Sequence, residues 1–283
     1  MRECLRPRWK ILLRENGRGV SICPVSTDAD SAAAALVGTL QLFDSANPDG
    51  WTSSRPGVMA AVSGVALPTL NGVWIESLDA DERTVAELLD QVAATGLPHC
   101  LQVRPGASAR LADVATARGM SQDDHLIPLM VLAGPDQLSP RQGTGGLEIR
   151  ELAPDAAAAH AELAAAGFEA PVELFLQLMT PSTLALPGVH CYLGEVDGNP
   201  VSTGLGVVVD ASVGIFNIAT PPESRRRGYG AALTSRIVED AFGAGATSAW
   251  LQSSAEGFSI YEGLGFRDLE QWTCWLSPEA GTH

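Results

Sequence analysis

Three arginines and two glycines lie within six residues, Arg225-Arg226-Arg227-Gly228-Tyr229-Gly230, and run directly into Ala231-Ala232-Leu233. Guanidinium groups beside glycines at the mouth of a helix are suited to holding an anion. The glycines let the backbone approach a ligand without Cβ interference, and the following helix turns its unpaired N–H groups and positive dipole end toward the loop. Formal charge on the rim adds to the partial charges of the amides, so the expected ligand is a polyphosphate. Neither G-K-[ST] nor a G-x-G-x-x-G after a strand is present, which removes nucleotide hydrolysis and hydride transfer.

The elements around the loop follow from periodicity. Val213 to Ala219 reads as a strand, broken by Thr220-Pro221-Pro222. After the loop, Leu233, Ile237 and Ala241 form one stripe of a helix, with Val238 and Phe242 beside it, so that face packs on a sheet. Trp250-Leu251-Gln252 suits a parallel strand buried on both faces. Ser253 to Glu256 fits a capping box for a helix through Leu264 with Gly265 as its C-terminal cap. Upstream, Leu147 to Leu152 is an alternating strand, Pro154 to Ala166 a helix ended by Gly167-Phe168, Val172 to Met179 a second helix, and Pro181 to Gly188 a loop. Strands at Val189 to Val196 and Pro200 to Asp210 flank the turn Asp197-Gly198-Asn199.

The earlier half predicts a helix over Asp28 to Phe43, strands at Val58 to Leu67 and Val73 to Leu78, and a helix over Asp81 to Thr95. A strand at His99 to Val103, a helix at Ala107 to Arg118 and a strand at Leu126 to Leu132 follow. Residues 133–146 are rich in Gly, Pro and polar residues and read as a linker. A chain of 283 residues suits two domains. The expected layout is a basic, poorly ordered arm at 1–25, a first domain at 26–132, and a second at 147–283.

The formal charge of −15 disfavours nucleic acid and anionic membranes as partners and favours a cationic amine. Five scattered cysteines, Cys4, Cys23, Cys100, Cys191 and Cys274, give neither a zinc nor a disulfide framework, so we expect reduced thiols in a cytoplasmic protein and no metal. No run approaches the ~20 apolar residues of a membrane span.

Arg225, Gly228 and Gly230 fill the fixed positions of R/Q-x-x-G-x-G/A, and Tyr261-Glu262-Gly263-Leu264-Gly265-Phe266 is similar to a Y-E-x-L-G-F signature. In this order, residues 147 to about 276 resemble the GNAT acetyltransferase superfamily. The resemblance implies an α/β (α+β) fold with a mixed, mostly antiparallel twisted sheet and flanking helices. Its activity is transfer of an acetyl group from acetyl-CoA to an amine of a small molecule or peptide; the alternative is a non-catalytic acyl-CoA-binding sensor or scaffold.

By position, the backbone at Ile218, Ala219 and Thr220 would hold the pantetheine and the thioester carbonyl. Arg225, Arg226, Arg227, Gly228, Tyr229, Gly230 and Ala231 would hold the pyrophosphate, with one or two of the arginines on phosphate. Ser253 and Ser254 stand where many members have Asn, and Ser254 is carried as a cofactor contact. Tyr261 would be the general acid toward the sulfur, and Phe168, Phe175 and Asn217 would face the acceptor, with Met179 beside them. For the base, Glu173, Glu169 and Glu256 are candidates, with Glu173 carried forward; His190 reads as a satisfied or exposed histidine. From Val73 the first half shows the same element order, but Glu76, Asp79, Asp81 and Glu82 stand at its loop. It is either a degenerate half that does not bind coenzyme A or an unrelated α/β domain. Oligomeric state is open, a homodimer included.

Overall fold

The computed structural model describes residues 29–141 and 145–278. The basic arm expected at 1–25 lies outside them, as do Cys4 and Cys23. In chain order the first part forms α1 (Ala29–Asp44), β1 (Trp51–Arg55), β2 (Val58–Val62), β3 (Asn71–Ile75), α2 (Glu82–Ala93), β4 (Cys100–Val103), α3 (Ser108–Thr116), β5 (Ser121–Gln122) and β6 (Ile127–Leu132). Then come β7 (Glu148–Glu151), α4 (Ala157–Phe168), α5 (Val172–Leu178), α6 (Pro181–Leu184), β8 (Val189–Val196), β9 (Asn199–Val209), β10 (Ser212–Ala219), α7 (Tyr229–Gly243), β11 (Ser248–Gln252), α8 (Ala255–Leu264) and β12 (Arg267–Leu276). The elements form two compact units. One holds 29–131, 252–259 and 267–278; the other holds 132–141, 145–251 and 260–266.

In the first unit β1, β2 and β3 are antiparallel neighbours, β3 and β4 run parallel, and β12 pairs antiparallel with β4, β5 and β6. Sequence reading placed 267–283 with the second domain, whereas β12 belongs to the sheet of the earlier residues. A buried ion cluster accompanies that pairing. The Arg104 side chain is 2% exposed and donates to Glu270 through Nε at 2.9 Å and Nη2 at 2.7 Å. Its Nη1 donates to Glu76 O at 2.7 Å and pairs with Asp30 at 2.6 Å. Trp272 Nε1 donates to the same Glu270 carboxylate at 2.8 Å. In the core of this unit Val85, Leu88, Leu89 and Val92 of α2 pack with Val73, Ile75, Leu101 and Leu111, each such burial worth about 1.5–3 kcal/mol.

The second unit carries β7, β8, β9 and β10 as an antiparallel run and β11 parallel to β10. α4 runs through Gly167 and Phe168, beyond its expected end, because Glu169 takes the left-handed conformation (φ 54°) and Ala170 N donates to Ala165 O to close it. Pro181 opens α6, capped by Thr180, where a loop was expected. On α4, His160 is fully buried, its Nδ1 2.7 Å from Thr203 Oγ1. Thr203 spends its own proton on Tyr192 O at 2.9 Å, so His160 Nδ1 is the donor and Nε2 carries a lone pair that no hydrogen bond meets. Burial pushes the imidazole pKa down to about 4. Cys100, Cys191 and Cys274 are free and buried.

Two measurements follow from these buried groups. Arg104→Ala leaves Glu76 O without its donor and Glu270 with Trp272 Nε1 alone, and is expected to cost on the order of 3 kcal/mol in denaturant unfolding; Arg83→Ala on the exposed face of α2 should be indistinguishable from wild type. For His160, the unfolded imidazole takes up a proton below its ordinary pKa of about 6.5 while the folded one does not until about 4. Stability is therefore unaffected above pH 6.5 and falls by on the order of 3 kcal/mol as pH drops toward 4. His160→Gln should flatten that slope; an unchanged slope would assign acid sensitivity to other groups.

Candidate functional site

The site begins where two parallel strands stop pairing. β10 meets β11 only from Ser212 to Gly214, opposite Ser248 to Trp250, and keeps β9 on its other side. Two rings fill the space above Gly214. Phe216 stands edge-on to Trp250, with centroids 5.4 Å apart, and a Cβ at Gly214 would lie 2.6 Å from one ring and 2.7 Å from the other. Beyond Gly214 the β11 side of β10 has no strand partner among the described residues. Between Phe216 and Ala219 the register against β9 slips by one residue at Asn217, which is left-handed (φ 50°). This bulge re-aims the last turn of strand at Ile218, Ala219 and Thr220. The Ile218 side chain turns into the unit: a Cβ at Gly204 would meet its Cδ1, along with Leu233 and Ile237 of α7.

Pro222–Ser224 then form a 3-10 turn, and the chain reaches α7 through Arg225, Arg226 (φ 63°) and Gly228 (φ 79°). No side chain caps α7; the first helical bond is Ala232 N to Gly228 O. The amides of Tyr229, Gly230 and Ala231 thus stand at the positive end of a 15-residue helix with no side-chain acceptor among the described residues. A Cβ at Gly228 would meet nothing within 4 Å. Among the described residues no atom blocks that direction, so glycine is needed there for its backbone angle.

Several expected contacts take other places. A Cβ on Gly230 would point inward, 3.5 Å from Ile218 and from Thr220, so this glycine does not open the loop's mouth. Tyr229 contributes an amide at most, since its side chain is 3% exposed. Arg225 was expected on phosphate, yet its Nε donates to Thr220 O at 3.2 Å and its Nη2 to Gly167 O at 2.7 Å and Glu169 Oε1 at 2.8 Å. Arg226 and Arg227 are exposed on the rim. Ser254 falls in the other unit and caps α8, accepting from Gly257 N at 3.2 Å; the box expected on Ser253 is not formed. Hydrogen bonds from its own amide and from Ser254 hold the Glu256 carboxyl below its usual range, which suits a spectator better than a base.

Tyr261 lies on the half of α8 that belongs to the second unit. Segment 139–141 ties this half to the rest, since Ser139 N donates to Leu264 O at 2.9 Å and Arg141 N to Ser235 Oγ of α7 at 2.9 Å. The Tyr261 ring stands edge-on to Phe266 at 6.0 Å, burial pushes its pKa up to about 12, and no hydrogen bond engages its hydroxyl among the described residues. It is a protonated donor at neutral pH. On α4 and α5, Phe168 is 48% exposed and stacks on the buried Phe175, centroids 5.7 Å apart. Met179 is buried, and Glu173 is exposed with no ion pair among the described residues. His190 is a partnered histidine, its Nδ1 2.7 Å from Glu151. Sequence reading missed Gly167, where a Cβ would lie 2.8 Å from Ala219 and 2.9 Å from Thr220 N. A glycine inside an alanine-rich helix was the available signal.

The family model for the acetyltransferase (GNAT) family matches residues 158–266. Among curated proteins, the ribosomal protein bS18-alanine N-acetyltransferases of Escherichia coli (strain K12) and Salmonella typhimurium are each 35% identical over 65 residues. That stretch is 22% of this chain, and the chain spans 43% of the length of those relatives. Among solved structures, a GCN5-related N-acetyltransferase from Kribbella flavida superposes with a TM-score of 0.65 at 21% identity, covering 87% of this chain and 95% of that one. A tandem GNAT protein from the clavulanic acid biosynthesis pathway gives 0.56 at 14% identity, covering 92% and 89%. At these identities the solved structures establish the fold alone. Among the described residues no helix is long and apolar enough to cross a membrane, and no group of three or more His, Cys, Asp or Glu could hold a metal ion.

Gly228→Val places a β-branched residue at a left-handed position over the α7 amides. We expect coenzyme A affinity to fall at least tenfold in a calorimetric titration; unchanged affinity would remove the loop from the binding site.

Proposed function

We propose that the second unit, whose residues 158–266 match the GNAT family model, transfers the acetyl group of acetyl-CoA to an amine of a small molecule or peptide. The observation that carries this reading is the uncapped start of α7 beside a strand released from its parallel neighbour. Acetyl-CoA, when bound, supplies the activated acetyl thioester. The residues fit such a ligand: the amides of Tyr229, Gly230 and Ala231 bind phosphate oxygens, Gly228 keeps the approach open, and Arg226 and Arg227 add charge at the rim. Backbone groups of β10 from Ile218 to Thr220 orient the pantetheine and polarise the carbonyl.

Tyr261 holds its proton toward the departing sulfur. Burial makes the Tyr261 phenol a weaker acid than a thiol in water, so proton transfer is favoured only as the sulfur leaves in a desolvated site. The hydroxyl would act first as a hydrogen-bond donor and would pass its proton to the thiolate as it leaves, the phenolate regaining a proton from the ammonium nitrogen of the adduct. A base is needed less for some acceptors than for others. An α-amine with a pKa near 8 is about a quarter neutral at pH 7.5, against about one in a thousand for a lysine-type amine. With Glu173 exposed on α5, this favours a peptide or small-molecule α-amine. The name of the matched N-acetyltransferases, which specifies an alanine of a ribosomal protein, is in keeping with that class.

In the first unit the corresponding positions are satisfied from within. Asp81 accepts from Thr84 N at 2.8 Å and so caps α2, and Arg104 takes Glu76 O just past the end of β3. One cofactor per chain is the consequence. Calorimetry with acetyl-CoA should give one equivalent, and two would open the first unit to the ligand. Offered a panel of α-amines, including alanine-initiated peptides, the chain should release thiol. Tyr261→Phe should slow release at least tenfold while coenzyme A affinity stays unchanged. Binding without release for any amine would assign the protein as an acyl-CoA sensor instead.

A further inference from the structure

Arg225 bridges two elements that the transfer reaction needs for different tasks. Its Nε donates to Thr220 O, where β10 ends, and its Nη2 donates to Gly167 O, a terminal carbonyl of α4, and to Glu169. A cation at the negative end of a helix is well placed. The same helix end leaves no slack against the strand, since no Cβ fits at Gly167 beside Ala219 and Thr220 N. Directly after it come the exposed Phe168, stacked on Phe175, and Glu169 in the left-handed region at φ 54°. A non-glycine residue persists at such an angle only where its surroundings hold it, and the Glu169 carboxylate is held by Arg225.

We infer that Arg225 is a positioning residue that couples the cofactor loop to the turn joining α4 and α5, so that filling the loop orders Phe168 and Glu169. The inference rests on the functional reading above and assigns Arg225 no phosphate. Both members of the Arg225–Glu169 pair are substantially exposed, 44% and 64%, so the pair contributes little to overall stability. Its effect lies in geometry: any shift of Thr220 on ligand binding passes through two short bonds and one close contact to the helix end. Thr220 and Gly167 are thus the two ends of a single mechanical link.

Coenzyme A is the probe, read by calorimetry and by amide hydrogen exchange over 165–175 in the full chain. In wild type, coenzyme A should slow exchange at 167–170 at least fivefold. In Arg225→Gln that slowing should vanish while the coenzyme A Kd stays within threefold of wild type. Glu169→Gln keeps both carbonyl acceptors and should weaken the slowing without abolishing it. A brace with no coupling role would alter exchange equally with and without coenzyme A, and that result overturns the inference. A Kd weakened tenfold or more in Arg225→Gln makes the residue a phosphate ligand and overturns it too. Wild type is titrated first, so the two failures are separable. A chain that does not bind coenzyme A overturns the functional reading and this inference with it.

Discussion

A parallel strand pair that stops after three residue pairs creates an obligation, because backbone N–H and C=O groups released from a ladder must find partners elsewhere. β10 meets that obligation with β9 on one side and leaves the other side to be satisfied by something that is not β11. The divergence has a cause in side-chain volume. Phe216 and Trp250 crowd above Gly214, and the bulge at Asn217 turns the strand's end. Everything downstream inherits that direction: the proline-bounded turn, the left-handed Arg226 and Gly228, and the bare amides of α7. The surface proposed to bind the cofactor is mostly main chain, with the exposed Arg226 and Arg227 at its rim.

The two units answer the same geometric problem in opposite ways. β3 and β4 also run parallel for three pairs, Gly72 to Trp74 against Cys100 to Gln102. There the carbonyl just beyond the strand accepts from Arg104, and Asp81 accepts from Thr84 N at the helix start. A buried guanidinium is tolerated because Glu270, Asp30 and Glu76 O give it acceptors on several sides. Satisfaction favours a rigid core; incompleteness favours a site.

Local signals carried most of what was readable in advance. The stripe Leu233, Ile237 and Ala241 and the Gly265 stop of the next helix depend on residues a few positions apart, and they stand where periodicity and capping rules put them. The side-chain assignments needed distance. Arg225 looks like a phosphate ligand until Gly167 and Glu169, which are far off in sequence, are placed beside it. Tyr229 looks like part of an open loop until the helix turns its ring inward. β1 was missed because Trp-Thr-Ser-Ser-Arg has almost no apolar alternation, being an edge strand whose residues are half-buried or exposed. β12 carries charges along its first half, and its membership in the first unit depends on Arg104 and on pairing across more than 150 residues, which no window on the sequence contains.

That pairing gives the chain a schedule. β4 and β6 leave the ribosome long before β12 does, and β12 is the strand between them. At about 5–20 residues per second the earlier sheet waits on the order of ten seconds with two unpaired edges. During that interval the chain resembles a zip with one side missing, open to pairing with any extended segment, its own neighbours on a polysome included. Closure of the early sheet therefore waits until synthesis has passed β12.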